Sequence, residues 1–234
     1  MSEPLNVPGN RSAAPVVVAT LTRRPPTVRG AAAETRAPRS RTTPGESLLA
    51  AVVPLLNHGF DDVDATIGEC LDLITRALGG ELGEVWGGCD PSTTSLRYAA
   101  TDRSEAASAF VARATELYPE YIPPFVAETV ATGRVIETVL AATLTPPVGR
   151  SDLAQSIGLT GLTAFPIRTK RAVQGALVVF RGSPERVGKG VVAAVSLACH
   201  QIGRYMERYA DDREARVIST EIPGLASTDP LTGV

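Results

Sequence analysis

Aromatic residues are scarce in this 234-residue chain: five Phe, five Tyr and one Trp. Each buried aromatic therefore marks an identifiable place in the core. The three cysteines, Cys70, Cys89 and Cys199, lie far apart with no CxxC pair. That spacing excludes a zinc framework. An odd, sparse count fits a reducing compartment. The two histidines, His58 and His200, stand without acidic clusters, so no metal is expected. No apolar run approaches the roughly 20 residues that span a bilayer. The stretch from Ala13 to Ala19 lacks the basic lead-in of a signal peptide, so a cytoplasmic location is expected. Neither G-x-x-x-x-G-K-[ST] nor G-x-G-x-x-G occurs, and there is no G-x-S-x-G elbow. These absences leave no phosphate cradle and no catalytic residue to nominate.

Net charge is −2 overall, which does not suit a nucleic-acid binder. The charge is uneven. Residues 1–43 hold seven Arg against Glu3 and Glu34. Pro25, Pro26 and Pro38 would break any helix there. This basic segment reads as a disordered tail without the interleaved aromatics of a nucleic-acid arm.

From residue 44 the pattern is that of a folded domain. Thr43, Pro44 and Glu46 predict a helix start, and Gly59 its stop. Val63, Ile67, Cys70, Leu71, Ile74 and Leu78 form one apolar stripe over a helix of about 61–78. Leu82–Cys89 and Ser95–Thr101 read as a hairpin around Asp90-Pro91-Ser92. Helical segments are expected at 105–118, 125–132 and 152–157, with a strand at 134–140. A second hairpin spans 162–168 and 172–181. The last helix, 187–213, carries Val192, Val195, Cys199, Ile202, Met206 and Tyr209 at alternating spacings of three and four, a heptad seam. Pro223-Gly224 should interrupt it.

Three stretches resemble the GAF family of sensory domains. They are Gly158–Ile167, Gln174–Phe180 with its Gly175-x-Leu177 core, and Ala198–Arg208 with Gln201-Ile202-Gly203. Leu82–Trp86 is similar to the first strand of many members. The resemblance covers residues 44–210. It implies an α+β fold: an antiparallel sheet with N- and C-terminal helices on one face and loops and short helices over the other. Thr228-Asp229-Pro230-Leu231-Thr232-Gly233-Val234 resembles the opening of the GGDEF family of diguanylate cyclases. The implied layout is a tail (1–43), a sensory domain (44–210), a linker (211–227) and the start of a truncated GGDEF-like domain (228–234). As it stands the chain would be non-catalytic, a signal-sensing and dimerisation module in c-di-GMP signalling. Two alternatives stay open: a truncated cyclase carrying its parent's activity, or a small-molecule or redox enzyme on a GAF-like scaffold.

The resemblance places any pocket between the sheet and residues 105–160, with Trp86, Tyr98, Phe110, Tyr121, Phe125 and Phe165 as candidate lining. No cofactor is predicted; an unidentified small ligand is the expected occupant. Cys89, at a strand end, is the candidate redox thiol. The heptad seam, Val192 to Tyr209, predicts a parallel homodimer through the terminal helices.

Overall fold

Two of the helices begin with side-chain caps. Thr43 and Glu46 form a reciprocal capping box: the Glu46 amide donates to Thr43 Oγ1 at 3.3 Å, and the Thr43 amide to Glu46 Oε2 at 2.7 Å. This box starts α1 (Pro44–Leu56). Asp62 caps α2 (Val63–Ala77) by accepting from the Ala65 amide at 2.8 Å. Each satisfies amides that the first helical turn leaves without partners. The computed structural model describes residues 17–20, 43–57, 59–60, 62–87, 95–101, 109–113, 122–140 and 150–226.

The remaining elements are β1 (Val17–Thr20), β2 (Leu82–Gly87), β3 (Ser95–Thr101), α3 (Pro124–Thr132), β4 (Ile136–Val139), α4 (Arg150–Ser156), β5 (Gly161–Arg168), β6 (Val173–Arg181) and α5 (Lys189–Ala226). Residues 109–113 are also helical. The strands form one six-stranded sheet, ordered β1-β3-β2-β6-β5-β4. Every pairing is antiparallel except β1 with β3. Both expected hairpins are present, and β2 joins them at the centre by pairing with β6.

The sheet separates two apolar clusters. Against one face lie α1, α2 and α5, with Val85, Phe165, Ile167, Leu177 and Val179 from the strands. Against the other lie residues 109–113, α3 and α4, with Leu82, Trp86, Leu162, Ala164, Val178 and Phe180. The central strands are buried on both faces. Burying one such side chain contributes about 1.5–3 kcal/mol, so this double layer dominates stability.

Helix α1 runs parallel to α5. A Cβ on Gly45 would stand 2.9 Å from the Ala194 Cβ. At the other end, Arg208 donates to the Leu56 carbonyl at 2.6 Å. Phe60 packs its ring against Tyr205 and Tyr209, at 5.3 and 5.7 Å between centroids.

Two expectations need correction. Within the segment expected to be disordered, residues 17–20 form an edge strand on β3. Val16-Val17-Val18 is an apolar, β-branched run, and an unpaired sheet edge offers such a run its hydrogen bonds. The last helix passes through Pro223 and ends at Ala226. Proline removes one hydrogen bond and crowds the preceding turn, but it permits the helix to continue.

Candidate functional site

Strand β2 puts Leu82, Glu84 and Trp86 on the face opposite the long helices. Leu82 and Trp86 belong to the cluster there. Glu84 is fully buried between them. The Trp86 indole N–H donates to Glu84 Oε2 at 3.0 Å. A carboxylate taken into an apolar setting costs several kcal/mol unless hydrogen bonds return it. The indole, reached from the same strand face, is one such donor.

The aromatic neighbours come from three further elements. Phe180 on β6 lies between Phe110 and Phe125, with both centroid distances 6.0 Å and both contacts edge-to-face. Such pairs are worth about 0.5–1.5 kcal/mol beyond their area. Helix α3 carries Phe125, Val126 and Val130 into the same cluster. It ends at Gly133, whose φ of 62° suits glycine.

Of the six candidate lining residues, Trp86, Phe110 and Phe125 meet here. Phe165 does not: it is fully buried on the opposite face, among α1, α2 and α5. The apolar run Gly161–Ile167 is buried on both sides, so its sequence gives no alternation from which to read a face. Phe180 takes its place in the cluster, and the same double burial hid it. Tyr98 is placed by its backbone alone, on β3. Tyr121 and Cys89 lie outside the described residues.

The heptad seam lies along α5. Val195, Cys199 and Ile202 are completely buried in the chain's own core. Val192 and Met206 pack partly buried against it, and Tyr209 packs on Phe60. The spacing is as read, and its fully buried part, Val195, Cys199 and Ile202, belongs to the core between the helices and the sheet of the same chain. Cys70 and Cys199 are free, buried thiols. Burial, then the charge of Glu69, pushes the Cys70 thiol up to about 12. Cys199 is raised by burial first and by Cys70 second.

A concavity lies on the helical side. Lys170 and Arg171 at the β5–β6 turn, with Arg204, Glu207, Arg208 and Asp211 on α5, enclose an open cleft of about 200 Å³. No described helix is long and apolar enough to cross a membrane.

No protein-family model and no curated protein matches the chain. Solved structures do. The GAF domain of a phosphoenolpyruvate-protein phosphotransferase from Coxiella burnetii superposes with a TM-score of 0.55 at 14% identity, over 75% of this chain and 99% of that one. The phycoerythrobilin-bound GAF domain of a cyanobacterial phytochrome gives 0.52 at 12% identity, over 72% and 97%. A GAF domain from A. aeolicus, in an inactive state, gives 0.51 at 11%, over 71% and 97%. The fold is GAF-like, α+β, as the residues of the second hairpin and last helix implied.

Proposed function

We propose that residues 44–210 are a sensory and regulatory module, non-catalytic in itself, that receives a small ligand on the sheet face holding Glu84 and Trp86. The observation that carries this reading is the buried carboxylate. Glu84 has no exposed surface, and its neighbours on the same face, Leu82, Trp86 and Val178, belong to the apolar cluster; acidic side chains are seldom placed so deep. A few polar groups placed among aromatic side chains is the composition of a small-molecule site. One structural neighbour is described as a phycoerythrobilin-bound GAF domain, which supports a ligand-taking role for a domain of this fold.

Trp86 is the only tryptophan in the chain, so its fluorescence reports on the site directly. Titration with phycoerythrobilin and a panel of soluble metabolites is expected to give saturable quenching by at least one compound. Glu84→Gln should weaken that binding about tenfold or more while the chain stays folded. Unchanged binding in the variant, or no saturable compound, would sink the reading.

The output in this proposal is α5, and two copies join through its distal part. Residues 213–219 are all exposed, and Val217 and Ile218 are about half exposed. Ile222 and Leu225 continue the spacing from Ile218 in sequence. Helices without tertiary cover are only marginally stable in water, so pairing this segment with its copy stabilises both. Light scattering should show a dimer for the full chain and a monomer for a chain ended at Asp212. A dimer in both would move the interface elsewhere. The resemblance of Thr228–Val234 to the start of a diguanylate cyclase domain favours c-di-GMP signalling as the context. On this layout 211–227 is the linker and 228–234 opens a GGDEF-like domain of a parent cyclase.

A further inference from the structure

Arg168 ends β5, and it reaches both sides of the sheet. Its guanidinium Nη2 donates to the carbonyl oxygen of Gly133. Gly133 closes α3, whose Phe125, Val126 and Val130 belong to the Trp86 face. A carbonyl at a helix C-terminus is a favourable seat for a cation. The backbone of Arg168 rests instead on α5. A Cβ built on Gly203 would overlap the Arg168 carbonyl oxygen and stand 2.6 Å from its carbonyl carbon. Only a residue without a side chain allows this approach.

The hairpin tip is tied together by its own hydrogen bonds. The amides of Arg171 and Ala172 donate to Thr169 Oγ1, at 3.2 and 3.1 Å. The β5–β6 ladder shifts register between Ile167 and Arg168. Such irregularities bend a strand and loosen its pairing locally. Beyond the tip lies the open charged cleft, not packed core, so the tip has room to shift.

We propose that the β5–β6 tip, through Arg168, is the mechanical link between α3 on the Trp86 face and α5 on the other. A displacement of the α3 end pulls the guanidinium. The tip then shifts its contact at Gly203, where α5 still belongs to the body but is about to leave it. Coupling of this kind needs a contiguous element that both ends bias, and Arg168 is that element. The inference rests on α5 being the output helix, as proposed above.

Hydrogen–deuterium exchange on the full chain tests it without ligand. Arg168→Met removes the guanidinium and leaves the backbone. It should speed exchange about tenfold at residues 129–134 and also at 200–208, where the backbone of Arg168 rests on Gly203. Arg168→Lys should restore part of the protection. Coupling is reciprocal, so Gly203→Ala should speed exchange at 129–134. Residues 67–74 of α2 should keep wild-type rates in every variant. Changes confined to 129–134 in Arg168→Met, or to α5 in Gly203→Ala, would overturn the link. Equal acceleration in α2 would also overturn it, because it would mean general loosening. If Arg168→Met does not fold, Arg168→Lys carries the test alone: acceleration at both places supports the link and at one place overturns it. The sensory reading fails separately, by the absence of Trp86 quenching.

Discussion

Phe180→Ala should lower stability by about 3–5 kcal/mol, the usual cost of deleting a buried phenyl ring. In a chain of this size that is a fall of roughly 10 °C in Tm. The ring lies edge-on to both Phe110 and Phe125, so two aromatic contacts go with the buried area. The partners come from separate segments that cannot collapse together into the gap. Phe165→Ala should cost a similar amount, because Phe165 is also fully buried. The two losses should differ in place. Phe180→Ala should speed amide exchange in residues 109–113 and in α3, whereas Phe165→Ala should speed it in α1 and α5. Calorimetry gives the size, and exchange gives the place. If both variants loosened the same elements, the assignment of the two rings to opposite faces would be wrong.

Thiol chemistry offers the second large effect. In a Cys89→Ser background the remaining thiols, Cys70 and Cys199, are completely buried. Reagent reaches them only when the core opens. Labelling of the native chain should be at least about a thousandfold slower than in denaturing guanidinium, given the ordinary stability of folded domains. Fast native labelling would show that α2 and α5 part readily. The same burial fixes a pH dependence. An unfolded cysteine loses its proton near pH 8.5, but folded Cys70 holds its proton up to about 12. Between those values the folded state binds more protons than the unfolded one, so stability falls as pH rises. Each thiol should add about 1.4 kcal/mol per pH unit to that slope. Urea unfolding at pH 7.5 and 9.5 should show a steeper loss for this chain than for its Cys70→Ala, Cys199→Ala counterpart.

The elements were legible where local chemistry decides them. Thr43 with Glu46 marks a helix start by reciprocal capping, which acts within a few residues. The two hairpins were legible from their turns. What was hidden depends on long-range pairing. Phe165 and Phe180 sit in strands buried on both sides, where apolar residues follow one another and no alternation shows which face a ring takes. The heptad seam was read correctly as a stripe, but a stripe does not say what covers it; α1 and the sheet do. Glu84 carries no signal in the sequence, because a lone acid two residues before a tryptophan makes no motif. Its meaning comes from complete burial.

The double burial of the middle strands also bears on how this fold tolerates sequence drift. Where both faces are packed, an apolar residue of about the right volume replaces another at small cost, so individual identities there are free to wander. The structural neighbours share only 11–14% of residues with this chain. Backbone-to-backbone contacts allow no such exchange. At Gly175 a Cβ would lie 3.1 Å from the Trp86 carbonyl carbon and overlap its oxygen, and at Gly203 it would collide with the hairpin tip. Both glycines fall within the stretches that resembled GAF domains. In a lineage of this fold, inheritance should therefore be written in the spacing of its glycines and the volume of its core, and only faintly in the names of the residues between them.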